Sequence, residues 1–346
     1  MKVVLVAPPS EKGKYEHGNQ SLPKIGLGYL ASMLEAKGIP CEIIDAKFER
    51  LSLDEVLSRL NALKPDLVGL TAMTPDICDA ALVARQAKGQ NPKCWTIVGG
   101  PHAMALPRET MEEFHEFDLL IAAEGEYALV DVVRALEENR AMENIAGVAF
   151  RKDGQVYVNP VGPWIDNLDS LPFPAWSKYP SHSDVYYVLA VRGCPYRCVF
   201  CMRSMGKTPR RRSPENVVQE IQWLVQQHHA KEFIFIDETF GLNREHVAQM
   251  LALLTDRGLH RTIRWTAQTR VDRVDEDLLR STRTAGCYRV EFGIESGNQK
   301  ILDAVQKGTT LQQAEYAVRL AKKSGLQVGC SFILGHPHET RETAQD

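Results

Sequence analysis

The 346-residue chain predicts an α/β protein of two domains, a doubly wound, Rossmann-like parallel sheet followed by a partial (β/α) TIM-type barrel. Three observations carry that expectation. Short apolar segments alternate with amphipathic helical stretches along the whole chain, the pattern of parallel strands covered on both faces. In the second half, polar residues gather at the C-terminal end of each strand, where barrels place their chemistry. Between the halves, Cys194, Cys198 and Cys201 follow a strand at C-x3-C-x2-C spacing.

In the first half, strands are expected at Lys2–Ala7, Cys41–Ala46, Asp66–Thr71, Trp95–Gly99 and Asp118–Ala122. Helices are expected at about Leu22–Lys37, Ser52–Leu63, Ile77–Lys88, Pro107–Phe114 and Tyr127–Asn139. Ligands of such sheets lie beyond the carboxyl ends of the strands. Here those ends are Pro8-Pro-Ser10, Thr71-Ala-Met-Thr-Pro75, Gly99-Gly-Pro-His-Ala103 and Glu124-Gly-Glu126. Gly99 and Gly100 let backbone approach a ligand and Pro101 stiffens the exit, although the same residues also make an ordinary strand-to-helix turn. His102 reads either as a hydrogen-bonded loop histidine or as a ligand. Glu124 and Glu126 equally suit a helix start, where carboxylates complement the dipole.

A hairpin follows, Ala146–Phe150 and Gln155–Val158 around an Asp153-Gly154 turn. From Pro160 to Ser183 the chain is rich in proline and aromatics, including Trp164, Phe173, Trp176 and Tyr179. It reads as an ordered linker whose aromatics pack on a domain. The expected segments are 1–145 for the α/β domain, 146–184 for hairpin and linker, and 185–346 for the barrel.

In the second half, strand Val185–Val191 leads into the cysteine loop. Gly193 and Pro195 disfavour a helix through the triplet, so the loop is expected to curl round a metal. Ser213-Pro-Glu215 starts a helix that runs to about Gln227, with a capping hydroxyl and an early proline. Strands then follow at Glu232–Ile236, Ile263–Gln268, Tyr288–Ile294 and Gln327–Leu334. Their ends carry Asp237-Glu238, Thr269-Arg270, Glu295-Ser-Gly297 and Gly335-His-Pro337. Helices at about Asn243–Arg257, Asp275–Thr284 and Leu311–Lys323 separate them, and a further helix is expected toward Asp346. Five strands are fewer than a full barrel needs, so a C-terminally incomplete barrel is expected.

Composition narrows the function. A net charge of -3 with 44% hydrophobic residues gives no general attraction to nucleic acid or anionic lipid. The one basic run, Lys207-Thr-Pro-Arg-Arg-Arg212, reads as a solvated loop, or as supplying one arginine that holds a carboxylate by paired hydrogen bonds. No apolar run of about 18 residues is present and the N-terminus reads as a strand rather than a signal peptide, so no membrane span and a cytoplasmic location are expected. Cys41, Cys78, Cys94, Cys287 and Cys330 are scattered among apolar runs, which suits a reducing compartment better than a disulfide framework.

Three cysteines on one loop fit a [4Fe–4S] cubane, because thiolates normally hold all four irons and three leave one iron open. An amino acid's amine and carboxylate can chelate at such a position. Structural zinc wants four ligands, and the loop offers no fourth cysteine.

These residues carry a resemblance to the radical S-adenosylmethionine (SAM) superfamily over about residues 185–346: Cys194, Cys198, Phe200, Cys201, Asp237-Glu238, Gly293-Ile-Glu-Ser-Gly297 and Gly335-His-Pro-His-Glu339. The resemblance implies that the three cysteines hold the cluster and that Phe200 lies near the adenine. It places Asp237 and Glu238 at the methionine amine, in place of the usual Gly-Gly-Glu. Glu295 and Ser296 fall at the ribose or amine, with Arg270 facing the same region.

The first half resembles the cobalamin-binding domain that precedes many radical SAM domains. That implies a corrinoid across the strand ends, met by Thr74, Gly99, Gly100, Pro101, His102, Glu124, Gly125 and Glu126. The Asp-x-His-x-x-Gly motif of other cobalamin domains is absent after the first strand, where the loop Pro9 to Gly18 offers only His17.

The implied reaction is reductive cleavage of SAM to a 5′-deoxyadenosyl radical, with methyl transfer from cobalamin to an unactivated carbon of a small molecule. An external electron donor such as flavodoxin or ferredoxin is implied as a partner. Within the class, the alternative is an oxidative cyclase or a lipid- or porphyrin-modifying enzyme. From another class, it is a non-catalytic corrinoid or redox sensor. A methylthiotransferase would need three clustered cysteines in the first domain, whereas Cys41, Cys78 and Cys94 fall at opposite ends of its strands.

Overall fold

A computed structural model describes residues 1–9, 22–179 and 183–346. The chain divides into two compact units, one of Met1–Asp166 with Ser170–His182 and the other of Asn167–Asp169 with Ser183–Asp346.

The first unit alternates strand and helix as the apolar pattern dictates. Its elements are β1 (Val3–Ala7), α1 (Ile25–Ala36), β2 (Cys41–Asp45), α2 (Ala46–Glu49), α3 (Leu53–Leu63), β3 (Leu67–Thr71) and α4 (Ile77–Gln90), followed by β4 (Trp95–Gly99), α5 (Pro101–Ala105), α6 (Pro107–Glu113), β5 (Leu119–Ile121) and α7 (Gly125–Glu137). A hairpin of β6 (Val148–Lys152) and β7 (Gln155–Val158) completes it. The sheet order is β2-β1-β3-β4-β5-β6-β7, with β2 to β5 mutually parallel and the hairpin antiparallel at the edge. Every residue of β1 is buried, as a strand covered on both faces requires. One apolar layer joins Val4, Val6, Val68 and Val98 to Val56, Leu60 and Val83 of the helices.

Local signals set the boundaries. Ser52 caps α3 in a full capping box with Glu55. Asp153 (φ 52) and Gly154 (φ 76) form the two-residue turn of the hairpin. The linker aromatics are packed on this unit's own helices. The Tyr179 hydroxyl donates to Lys24 O at 2.7 Å, Ala175 N–H to Gly28 O at 3.0 Å, and the Tyr179 ring lies edge-on to Phe48. The hairpin and most of the linker group with the first unit, and Asn167–Asp169 with the second.

The second unit contains β8 (Val185–Val188), a two-strand ribbon of β9 (Val191–Arg192) and β10 (Arg210–Arg211), α8 (Pro214–His228), β11 (Glu232–Phe235) and α9 (Arg244–Asp256). It continues with β12 (Arg264–Thr269), α10 (Glu276–Thr284), β13 (Cys287–Glu295), α11 (Gln299–Ala304), α12 (Leu311–Lys323) and β14 (Gln327–Phe332). Five parallel strands run in the order β14-β13-β12-β11-β8, an arc of a (β/α) barrel. Phe233, Phe235, Trp265 and Phe292 are its fully buried large side chains, with Phe235 edge-on to Trp265. Beyond β14 the expected helix does not form. Residues 341–344 make a turn in which Ala344 N–H reaches Thr340 O, because Thr340 to Asp346 presents no apolar face to pack.

Candidate active site

In the second unit every parallel strand points its C-terminal end to the same rim, and the cysteine loop lies on that rim between β9 and β10. Gly193 starts the loop at φ 96, and a Cβ there would sit 2.5 Å from Thr208 O, so only glycine fits. Cys194 N–H bonds Gly206 O at 3.1 Å, and the β9–β10 ladder shuts the base. Val199 N–H reaches Val305 O at 3.0 Å, which ties the loop to the end of α11.

The three thiols differ in exposure. Cys198 is buried, Cys194 partly so and Cys201 exposed. Burial pushes the Cys198 thiol up; Lys307 and Arg270 pull it down, and Cys194 and Cys201 push it up again. No three His, Cys, Asp or Glu among the described residues close on one point tightly enough to hold a single metal ion. Three cysteines on one loop suit a cluster that gives each thiolate its own iron, whereas structural zinc takes four ligands.

The carboxylates after β11 hold this loop. Asp237 is 2% exposed, and its Oδ1 accepts Ala190 N–H at 2.7 Å and Val191 N–H at 3.0 Å. Burial pushes its carboxyl up to about 7. Asp237, which the resemblance puts at the methionine amine, is buried here and anchors the segment entering the loop. Glu238 receives backbone N–H groups from Gly193 and Met205, and burial holds its carboxyl above the ordinary range. Its Oε2 is buried without a partner.

At the end of β13, Glu295 adopts φ 73, is buried, and meets Lys307 Nζ at 2.7 Å. A Cβ on Gly293 would stand 2.5 Å from Glu295 Oε1 and 3.0 Å from Lys307 Nζ, so a side chain there would displace the ends of the pair. Ser296 is buried and accepts Asn298 N–H at 3.2 Å. Arg270 is also buried, with its guanidinium over the Tyr196 ring and within 3.9 Å of Cys198 Sγ. Phe200 is 38% exposed, with its ring 5.5 Å from that of His336 and 5.9 Å from Lys307 Nζ. His336 is buried and its Nε2 has no partner.

The residues present fit a cluster and SAM. A triple-thiol loop is flanked by two cations, and two buried polar atoms, on Glu238 and His336, lack partners, a state that costs about 1–3 kcal/mol unless a ligand satisfies it. Lys307 and Tyr196 were not legible as site residues, since a lone lysine in a polar turn and a tyrosine between cysteines carry no pattern. His336 stood in a quoted motif without a role.

The basic run proves largely structural. Arg210 and Arg212 point inward, Arg212 paired with the buried Glu220, while Lys207 and Arg211 are exposed. The solvated-loop expectation fails for the two inward arginines, because alternate residues of a short strand face opposite sides.

In the first unit, the strand-end segments after β3, β4 and β5 share one edge of the sheet. His102 Nδ1 lies 3.1 Å from Thr74 Oγ1, which joins two of them, and burial lowers the imidazole pKa. Gly100 has φ 91, and a Cβ there would meet Thr71 Oγ1 at 2.7 Å and Ala72 O at 2.9 Å. A Cβ on Gly99 would meet only Ile121 O at 3.8 Å, an ordinary contact, so this position is far less crowded than Gly100. Pro101 opens α5, exposed. Glu124 accepts Ile165 N–H at 2.8 Å, Gly125 packs against Leu30, and Glu126 is buried in α7. Ser10 and His17 lie outside the described residues.

Residues 188–346 match the radical SAM superfamily, and residues 17–133 match the B12 binding domain. An uncharacterized methyltransferase of Pyrococcus horikoshii, PH0819, is 37% identical over all of this chain and 76% of its own length. The anaerobic magnesium-protoporphyrin IX monomethyl ester cyclase of Rubrivivax gelatinosus is 34% identical, and the chain spans 64% of it. The radical SAM methyltransferase TsrM from Kitasatospora setae, solved with cobalamin and a [4Fe–4S] cluster, superposes with a TM-score of 0.79. It is 20% identical over 99% of this chain and 69% of that one.

Proposed function

The chain belongs to the radical SAM superfamily, with a B12-binding domain ahead of its radical SAM domain, and from that premise we propose that it methylates an unactivated carbon of a small molecule. One observation carries the proposal. Both cofactor domains lie in one chain that aligns over its whole given length, at 37% identity, with 76% of a protein named as a methyltransferase.

When bound, the cluster supplies the electron that cleaves SAM and cobalamin supplies the methyl group; the protein binds, orients and excludes side reactions. Cys194, Cys198 and Cys201 would hold the cluster. Glu238 Oε2 and His336 Nε2 would find partners on SAM, and Glu295 and Ser296 would line it beside the half-open Phe200 ring. In the first unit, Thr74, Gly99, Gly100, Pro101, His102, Glu124, Gly125 and Glu126 would form the corrinoid edge. Gly99 would give the close approach, while Gly100 and Gly125 set the backbone behind it. The Asp237 and Glu238 carboxylates keep the cysteine loop in register, so cluster position follows from β11. The electron would come from a flavodoxin or ferredoxin in a reducing cytoplasm, consistent with eight free cysteines. No helix among the described residues is long and apolar enough to cross a membrane.

The test is anaerobic reconstitution with iron, sulfide and hydroxocobalamin, then SAM, reductant and candidate acceptors. Methyl transfer yields 5′-deoxyadenosine and S-adenosylhomocysteine together. 5′-Deoxyadenosine alone would point to the cyclase-type reaction, and neither product would leave only the sensor reading.

A further inference from the structure

Arg270 directly follows β12 with its guanidinium clamped. Nε donates to Asp272 Oδ1 at 2.9 Å, Nη2 to the Lys307 carbonyl at 2.7 Å, and the Tyr196 ring lies 3.6 Å from Cζ. Arg273 stacks on the same ring at 5.4 Å and donates to its hydroxyl. A planar fork fixed on these sides has one direction left for Nη1, and it points at Cys198 Sγ, 3.9 Å away.

The three cysteines are therefore not equivalent. Cys194 Sγ has the neutral Thr239 hydroxyl at 3.8 Å, and Cys201 is exposed. Cys198 is the buried thiol of the three and the one with a guanidinium aimed at its sulfur. Hydrogen bonds to cluster sulfurs and local charge set the potential of an iron–sulfur centre, because reduction adds one negative charge that a donor stabilises. The side chain is 6% exposed, so water does not dissipate the effect.

We propose that Arg270 is a positioning residue of the cluster rather than a contact of SAM: it donates to the Cys198 thiolate, raises the cluster's reduction potential, and is itself tuned by Asp272. The sign of the Asp272 contribution follows from its charge. Its carboxylate draws on the same guanidinium, so removing that charge leaves more positive potential at the sulfur.

This inference rests on the cluster reading above, and the experiment separates the two. The full chain is reconstituted anaerobically as wild type, R270Q and D272N; iron and sulfide are counted, and the cluster is titrated by potential-controlled EPR. At the potential where wild type is half reduced, R270Q should show a reduced-to-oxidised ratio about tenfold lower, a shift of about 59 mV to more negative potential for one electron. D272N should shift the other way. A residue that merely supports the fold would not move the two variants in opposite directions. Iron-loaded R270Q titrating at the wild-type potential would overturn the proposal. Should R270Q fail to load, D272N decides: a positive shift supports the proposal, and no shift or a negative one overturns it. Wild type that takes up no iron would refute the cluster reading, and with it this inference.

Discussion

Lys307 Nζ stands 2.7 Å from Glu295 Oε1 with both side chains buried, so the carboxylate at the end of β13 enters the site already paired. A pair out of water is vulnerable to losing one member, since the remaining charge has no solvent to recover. Lys307→Met should cost about 3–5 kcal/mol of stability. Gly293→Ala should act in the same direction, because its Cβ would fall 2.5 Å from Glu295 Oε1. Denaturant midpoints of the apoprotein check both; a loss below about 1 kcal/mol for Lys307→Met would show that the pair does not hold the strand end.

Arg212 and Glu220 make a second buried pair, 5% and 0% exposed. Arg212→Met alone should destabilise by about 3–5 kcal/mol, while the double change to Met at both positions should recover most of that loss. Equal destabilisation by the single and double variants, read from the same unfolding curves, would remove the pairing argument.

Asp237 gives a pH signature. Its folded carboxyl is pushed from 3.8 to about 7 by burial, so the folded state holds a proton that the unfolded chain releases. The stability this adds is complete below pH about 4 and is lost as pH rises through about 7, with a slope of up to about 1.4 kcal/mol per pH unit in between. Asp237→Asn should flatten that decline. Stability curves at pH 4.5 to 7 that run parallel for the two proteins would contradict the assignment.

Much of this architecture was written in local pattern. The strands of both sheets were legible because each is a short apolar run, and α3, α8, α10 and α12 because a capping residue stands in front of each. Elements below two turns, such as α2, α5 and α11, and the two-residue β9 and β10, carry too few residues to show a period. The cysteine triplet was legible by spacing. Burial was not, and burial decides the roles of Asp237, Arg270 and Lys307: a carboxylate or cation at a strand end reads the same whether it faces a ligand or turns back to hold the chain. Only the contacts of Asp237 with Ala190 and Val191 and of Arg270 with Cys198 distinguish the two.

The glycines after β4 separate packing from ligand contact in the first unit. Gly100→Ala meets Thr71 and Ala72 at a positive φ, so it should lower stability by about 1–3 kcal/mol even without cofactor. Gly99→Ala would meet only Ile121 O at 3.8 Å, an ordinary contact, and should leave the apoprotein's stability unchanged while reducing cobalamin retention, followed by absorption after gel filtration. Full retention by Gly99→Ala would place the corrinoid elsewhere.

Cys194, Cys198 and Cys201 would hold a cluster with one iron left for SAM. EPR of the reduced, reconstituted protein with and without SAM tests it most directly. The reconstituted chain should carry about four irons, lost on replacing Cys194, Cys198 or Cys201 with alanine, and give a signal whose g values change when SAM is added. A reduced cluster whose signal is indifferent to SAM, or a single metal ion per chain, would contradict it.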